Sequence, residues 1–196
     1  GTGGSSTFAG YTALGGGTPV NGSGRAGTSG SGNLGGTKNG TAAGGGGGDF
    51  ETGLNAPNST TGGAGGAGTL STLLEEDSYY GGGGGGRAFT TQGAGGLGGG
   101  GAGGVAGTAN TGGGGGGSAN GGSGIVLLRY EGSSIVLFDD FSNPAGSHSF
   151  FVDGGTTYQV HQFLDIGETT FTVIPEPGTL ALLGVFGLAM IIITLR

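Results

Sequence analysis

Glycine supplies 59 of the 196 residues, and much of it stands in unbroken runs at positions 44–48, 81–86 and 112–117. A residue without a side chain adds nothing to an apolar core, so the usual route to a globular domain is closed over most of this chain. Fixing a glycine also costs about 0.5–1 kcal/mol more than fixing an alanine in a helix or strand. If such a segment is ordered at all, backbone hydrogen bonds must do the ordering.

The spacing between runs suggests how. Residues 62–68 read Gly-Gly-Ala-Gly-Gly-Ala-Gly, and the pattern returns from Gly93 with Ala94 and Leu97, then with Ala102 and Val105. Three residues per turn is the polyproline-II period, in which N–H and C=O groups point outward and bond only to neighbours. Collagen is excluded, because proline numbers 5 and glycine does not keep every third place. A flexible glycine linker is the competing expectation. Against it stand embedded apolar residues, Leu70, Leu73, Leu74, Tyr79, Tyr80 and Phe89, which a solvated spacer does not need. Tyr79 and Tyr80 read as a contact platform or as packing against the edge of the glycine zone.

Charge and residue inventory remove several function classes. Lys and Arg number 5 against 12 Asp and Glu, a net charge of −7, and Arg25, Lys38, Arg87, Arg129 and Arg196 are scattered. Such a surface repels phosphate backbones, so no nucleic-acid partner is expected. Cysteine is absent, which removes disulfides, thiolate nucleophiles and sulfur-based zinc sites. The lysine at position 38 is followed by Asn39, so no P-loop exists, and G-x-G-x-x-G spacings in so glycine-rich a chain are chance.

Asp49 after residues 44–48 is a single instance where calcium-binding glycine repeats need a recurring aspartate. Asp139, Asp140, Asp153 and Asp165 leave room for one oxygen-ligand calcium site, although solvent-facing turn aspartates are the plainer expectation. His148 and His161 lack an oriented nucleophile or further ligands, so catalysis by His148 is not expected and it reads as an ordinary exposed strand histidine. The sequence therefore predicts no enzyme, no cofactor and no metal site.

From position 125 the composition changes to β-branched and aromatic residues. Strands are expected over 125–130, 135–138, 149–152, 158–163 and 169–173. Asp153-Gly154-Gly155 and Asp165-Ile166-Gly167 fit hairpin connections. Alternation along 158–163 predicts one buried and one wet face.

The last zone is apolar. Residues 178–195 carry no charge, with Thr179 and Thr194 as the polar side chains, and as a helix would extend about 27 Å, close to the bilayer core. Pro175 and Pro177 prevent a continuous helix from entering it and leave Glu176 in an extended, accessible tripeptide. The glycine pattern is already running at Gly1, without a Met or a charged-then-apolar leader, so the chain reads as a piece of a longer protein.

Pro175, Glu176, Pro177 and Gly178, followed by the apolar stretch and by Arg196, resemble the PEP-CTERM sorting signal. The resemblance implies passage through the inner membrane of a Gram-negative-type bacterium, recognition by an exosortase, cleavage near the Pro-Glu-Pro, and delivery to the cell surface or extracellular matrix. The family usually ends in several basic residues, whereas Arg196 alone remains to orient the helix. A second resemblance covers roughly residues 11–130. Ala109-Asn110-Thr111 before the run at 112–117, and Gly121-Gly122-Ser123-Gly124 before 125–130, look like the glycine-rich domain of bacterial surface proteins and phage tail adhesins. It implies polyglycine-II helices packed in a lattice and closed by a strand at 125–130. A hairpin of 158–163 with 169–173 is implied beside it.

Together these give a fold class of glycine-rich polyglycine-II-like or irregular region, small all-β region and one C-terminal transmembrane helix. The expected divisions are 1–130, 131–174 and 175–196. The expected role is an exported structural or adhesive surface protein, with the inner membrane, an exosortase and an exopolysaccharide or other surface ligand as partners. Two alternatives stay open. One is an adhesin whose loops bind a polysaccharide, a receptor or ice, although Thr28, Thr37, Thr41, Thr52, Thr60 and Thr61 keep no fixed interval. The other is a membrane-retained spacer whose tail is never cut.

Overall fold

The computed structural model of the chain describes residues 6–8, 11–13, 32–132 and 147–164. Among these residues the regular elements are all β: β1 (Ser6–Phe8), β2 (Tyr11–Ala13), β3 (Thr69–Ser71), β4 (Ser78–Tyr80), β5 (Val126–Glu131), β6 (Ser147–Asp153) and β7 (Thr156–Phe163). β1 pairs with β2 and β3 with β4, both antiparallel, and the remaining strands form a sheet in the order β5-β7-β6.

Most of residues 33–124 belongs to no strand, yet its backbone is extensively hydrogen-bonded. Residues 43–49 show the pattern. The N–H groups of Ala43, Gly46 and Asp49 donate to the carbonyls of Arg87, Gly84 and Gly81 at 2.9, 2.7 and 2.9 Å. Those of Gly45 and Gly48 donate to Leu54 and Glu51 at 2.9 and 2.8 Å. The carbonyls of Ala43 and Gly46 accept from Gly63 and Gly66, and those of Gly45 and Gly48 accept from Gly36 and Asn33. Each partner segment is revisited every third residue. A strand, with its two-residue repeat, bonds to neighbours on two sides only; a three-residue repeat aims successive groups in three directions, so one segment serves four neighbours here.

Residues 81–86 occupy the middle of this arrangement. They bond to 43–49, 63–66, 93–101 and 111–117, and Gly82, Gly83, Gly84, Gly85 and Gly86 are all buried. Glycine is required by the closeness of the neighbours. A Cβ built on Gly83, Gly84, Gly85 or Gly86 would overlap the carbonyl oxygen of Gly46, Gly115, Gly93 or Ala43 respectively. The packed interior is therefore peptide backbone. Among the described residues the buried apolar side chains are small, Ala42, Ala56 and Ala88 in one cluster and Val160 in the sheet.

Antiparallel runs send alternate connections to opposite ends. One end gathers 38–41, 57–60 and 88–91, where Thr41 Oγ1 donates to the Ser59 carbonyl at 3.0 Å and Thr90 N–H to the Thr60 carbonyl at 3.1 Å. The other end carries the turn at Asp49-Phe50 and the β3–β4 hairpin, and from that end the chain leaves Ser123 for β5. Asp49 Oδ2 accepts from Thr69 Oγ1 at 2.5 Å and ties the turn to the base of the hairpin.

Several sequence expectations need correction. β1 to β4 lie inside the zone expected to be polyglycine-II-like or irregular, each too short to carry a periodic signal. The strand expected at 125–130 is present as β5, but its described pairing is with β7, through Val126↔Phe163 to Glu131↔Tyr158, rather than with glycine runs. The hairpin of 158–163 with 169–173 does not fit, because β7 is central and both its edges are taken, by β5 and by β6. Its hairpin partner is β6, through the Gly154-Gly155 turn, where both residues have positive φ, 57° and 86°. This is the demand of a type I′ turn that glycine meets without strain. The strands expected at 135–138 and 169–173, the turn at 165–167 and the C-terminal helix lie outside the described residues.

The alternation along β7 does not separate a buried from a wet face. Gln159 and Val160 are both essentially inaccessible, at 1% and 0% exposure, as befits the middle strand. His161 is buried as well.

Candidate functional site

The sorting-motif residues Pro175, Glu176, Pro177 and Gly178, and the terminal Arg196, lie outside the described residues, as do Asp139, Asp140 and Asp165. Three side-chain constellations are placed by the fold.

The first joins the sheet to the glycine body. Arg129 on β5 lies across from Tyr158 and Phe151 on the same sheet face, because directly paired residues and their diagonals share a face. Its guanidinium carbon sits 3.8 Å from the Tyr158 ring centroid and 4.9 Å from that of Phe151. Nη1 donates to the Thr72 carbonyl at 2.9 Å, reaching the loop of the β3–β4 hairpin. Nη2 stands 3.5 Å from Asp153 Oδ2, but the aspartate is 68% exposed, so this ion pair contributes little. The two aromatic rings and the carbonyl hold the arginine; the carboxylate is secondary.

The second lies on the opposite face. Tyr130 Oη is 3.2 Å from Gln159 Oε1 and 2.9 Å from His161 Nε2. An arrangement in which the phenol donates to the amide oxygen and accepts from the imidazole N–H satisfies both contacts. The Tyr130 and His161 rings are stacked, 5.6 Å apart and 6° from parallel, with Phe163 beyond His161 at 6.5 Å. Burial pushes the Tyr130 phenol above its ordinary value. This set ties β5 to β7 with polar bonds in a buried place.

The third is the loop end. Thr41, Ser59, Thr60, Thr90 and Thr91 converge there, with Asn58 Oδ1 accepting from the Thr60 N–H and hydroxyl at 2.9 and 3.0 Å. Phe89 projects from them at 93% exposure. Phe89, Thr41 and Thr60 stand at no fixed interval in the sequence. The signal was there in another form: each threonine flanks a glycine run, and alternate connections must share an end. Tyr79 lies at the opposite end, 42% exposed and paired with Leu70 across the hairpin, so it is not packed away against the glycine runs.

Among the described residues no three His, Cys, Asp or Glu side chains converge as metal ligands, and no helix is long and apolar enough to cross a membrane. Compared with protein-family models, with curated proteins and with solved structures, the chain has no match.

Proposed function

We propose that this is an exported bacterial surface or matrix protein, structural or adhesive in role, whose body is a lattice of polyglycine-II-like helices and whose C-terminal PEP-CTERM-like signal delivers it. The observation that carries the reading of the body is the three-residue hydrogen-bond repeat around residues 81–86, the backbone-only analogue of a packed core. A body of this kind presents loops from a rigid frame at each end. Pro175-Glu176-Pro177 and the apolar stretch to Leu195 supply the route out of the cell, with exosortase cleavage near the tripeptide and the inner membrane as a transient partner.

Expression of the full chain in a Gram-negative host with and without an exosortase tests the route. Mass spectrometry of the mature C-terminus is expected to show loss of the tail only when the exosortase is present. An intact tail in both strains overturns the sorting proposal and leaves a membrane-retained spacer.

A second reading, that the loops recognise a polysaccharide, a receptor or ice, is favoured by the convergence of hydroxyl and amide side chains around Phe89. Glycan arrays and thermal hysteresis on the intact chain separate these ligands.

A further inference from the structure

Charge is distributed unevenly along the axis of the glycine runs. The described carboxylates are Asp49, Glu51, Glu75, Glu76, Asp77, Glu131 and Asp153. All lie at the hairpin end or on the adjoining β5-β7-β6 sheet. The loop end, residues 38–41, 57–61, 87–92, 103–106 and 117–119, contains no carboxylate, while Lys38 and Arg87 stand there, Arg87 beside Phe89. Residues 81–86 separate the two ends by about 19 Å at 3.1 Å per residue.

Among the described residues, both ends present charged groups without an ion-pair partner. Arg87 is exposed, and the single ion pair among the described residues belongs to Arg129 and Asp153. Glu75, Glu76 and Asp77 are exposed in the β3–β4 loop and make no ion pair. Apolar groups match the charges: Phe89 is 93% exposed at the basic end, and Leu70, Leu73 and Tyr79 are 43, 39 and 42% exposed around the acidic loop.

We infer that the loop end of one molecule docks on the hairpin end of a second copy, with Phe89 seated among Leu70, Leu73 and Tyr79 and Arg87 facing Glu75 and Glu76. The occupant is fixed by complementarity, because an anionic aromatic-binding surface for the Arg87–Phe89 end exists on this same chain. Two different patches meet, so the contact is head-to-tail and repetition extends it into a ring or an open filament. This inference goes beyond the proposed export and stands or falls independently of it.

Sedimentation velocity of the intact chain in mild-detergent micelles tests it. The wild type is expected to form a concentration-dependent series of species that disperses as salt is raised, since exposed charges are screened within about 10 Å at 0.1 M ionic strength. Arg87→Glu alone, and Glu75→Lys with Glu76→Lys, should each abolish the series. Phe89→Ser should weaken association by about tenfold or more, the scale of an aromatic anchor. An equimolar mixture of the Arg87→Glu protein with the Glu75→Lys/Glu76→Lys protein should restore it, because each reversed end again faces an opposite charge.

Thermal unfolding of each variant checks that the body is intact, and a variant that fails this check is replaced by Arg87→Gln or Glu76→Gln. A monomeric wild type at low salt, a series insensitive to Arg87→Glu, or a mixture that stays monomeric overturns the inference. Capture of an acidic polysaccharide by wild-type monomers through Arg87 and Phe89 also overturns it, and assigns that end to ligand binding.

Discussion

The N–H of Gly46 donates to the carbonyl of Gly84 at 2.7 Å, and the bonds on either side, Ala43 to Arg87 and Asp49 to Gly81, fall three residues away on both segments. The relationship removes the side chain from the design. A Cβ on Gly84 would meet the Gly115 carbonyl oxygen of a further run, and the bonds gained between runs offset the entropy of fixing glycine.

Gly84→Ala follows directly. The new methyl group would overlap the Gly115 carbonyl oxygen, and backbone must give way. A loss of about 1–3 kcal/mol is expected, the scale of overpacking in a tight interior. Gly124→Ala is the control, since nothing lies within 4 Å of its added Cβ; it should be neutral or stabilising by up to about 1 kcal/mol through the unfolded state. Urea unfolding of both variants measures the difference, and equal stabilities would contradict the close packing of residues 81–86.

Arg129→Met keeps the apolar stem but removes the guanidinium from over the Tyr158 and Phe151 rings and leaves the Thr72 carbonyl without its donor. A loss of about 1–2 kcal/mol is expected. Asp153→Asn should cost less than about 1 kcal/mol, because the aspartate is mostly exposed. Arg129→Lys should not fully rescue, since a lysine cannot stack as a plane. The ordering of the three variants in chemical denaturation is the check; an Asp153 effect larger than that of Arg129→Met would reverse the assignment.

How much of this was legible beforehand differs by element. Asp153-Gly154-Gly155 was readable as a hairpin turn because only a few residues accept positive φ at consecutive positions. The strands at 149–152 and 158–163 were readable from their branched and aromatic residues and lie within β6 and β7. Partner choice was not, because β5, β6 and β7 carry similar side chains and the sequence does not state which strand is central. That omission also hid His161, whose burial comes from its place on the middle strand under Tyr130. Among the glycines, the three-residue spacing of Ala64 and Ala67 gave the period, but identical glycines carry no label for which run bonds to which. The convergence of Thr41, Thr60 and Thr91 is a consequence of that unlabelled pairing.

Tyr130→Phe removes the hydroxyl between Gln159 and His161, both buried, and should cost about 1–2 kcal/mol. It also changes the alkaline limb of stability. The folded phenol titrates above 10.0 because burial disfavours phenolate, so the folded state holds this proton more tightly than the unfolded chain. Its contribution is fully present below the unfolded value and is lost as pH rises through the folded one. Wild-type stability should therefore fall more steeply than that of the phenylalanine variant as pH rises above the ordinary phenol value of 10.0. Parallel pH profiles would show that the hydroxyl is solvated.

Amide hydrogen exchange of the intact chain, read on peptides covering 43–49 and 81–87 and compared with the β3–β4 loop at 75–77, tests the lattice most directly. The account predicts slow exchange at Gly46, Gly82, Gly83, Gly85 and Gly86, whose N–H groups donate to neighbouring runs, and faster exchange in the exposed loop. Exchange as fast across 81–87 as in an unstructured glycine linker would contradict it.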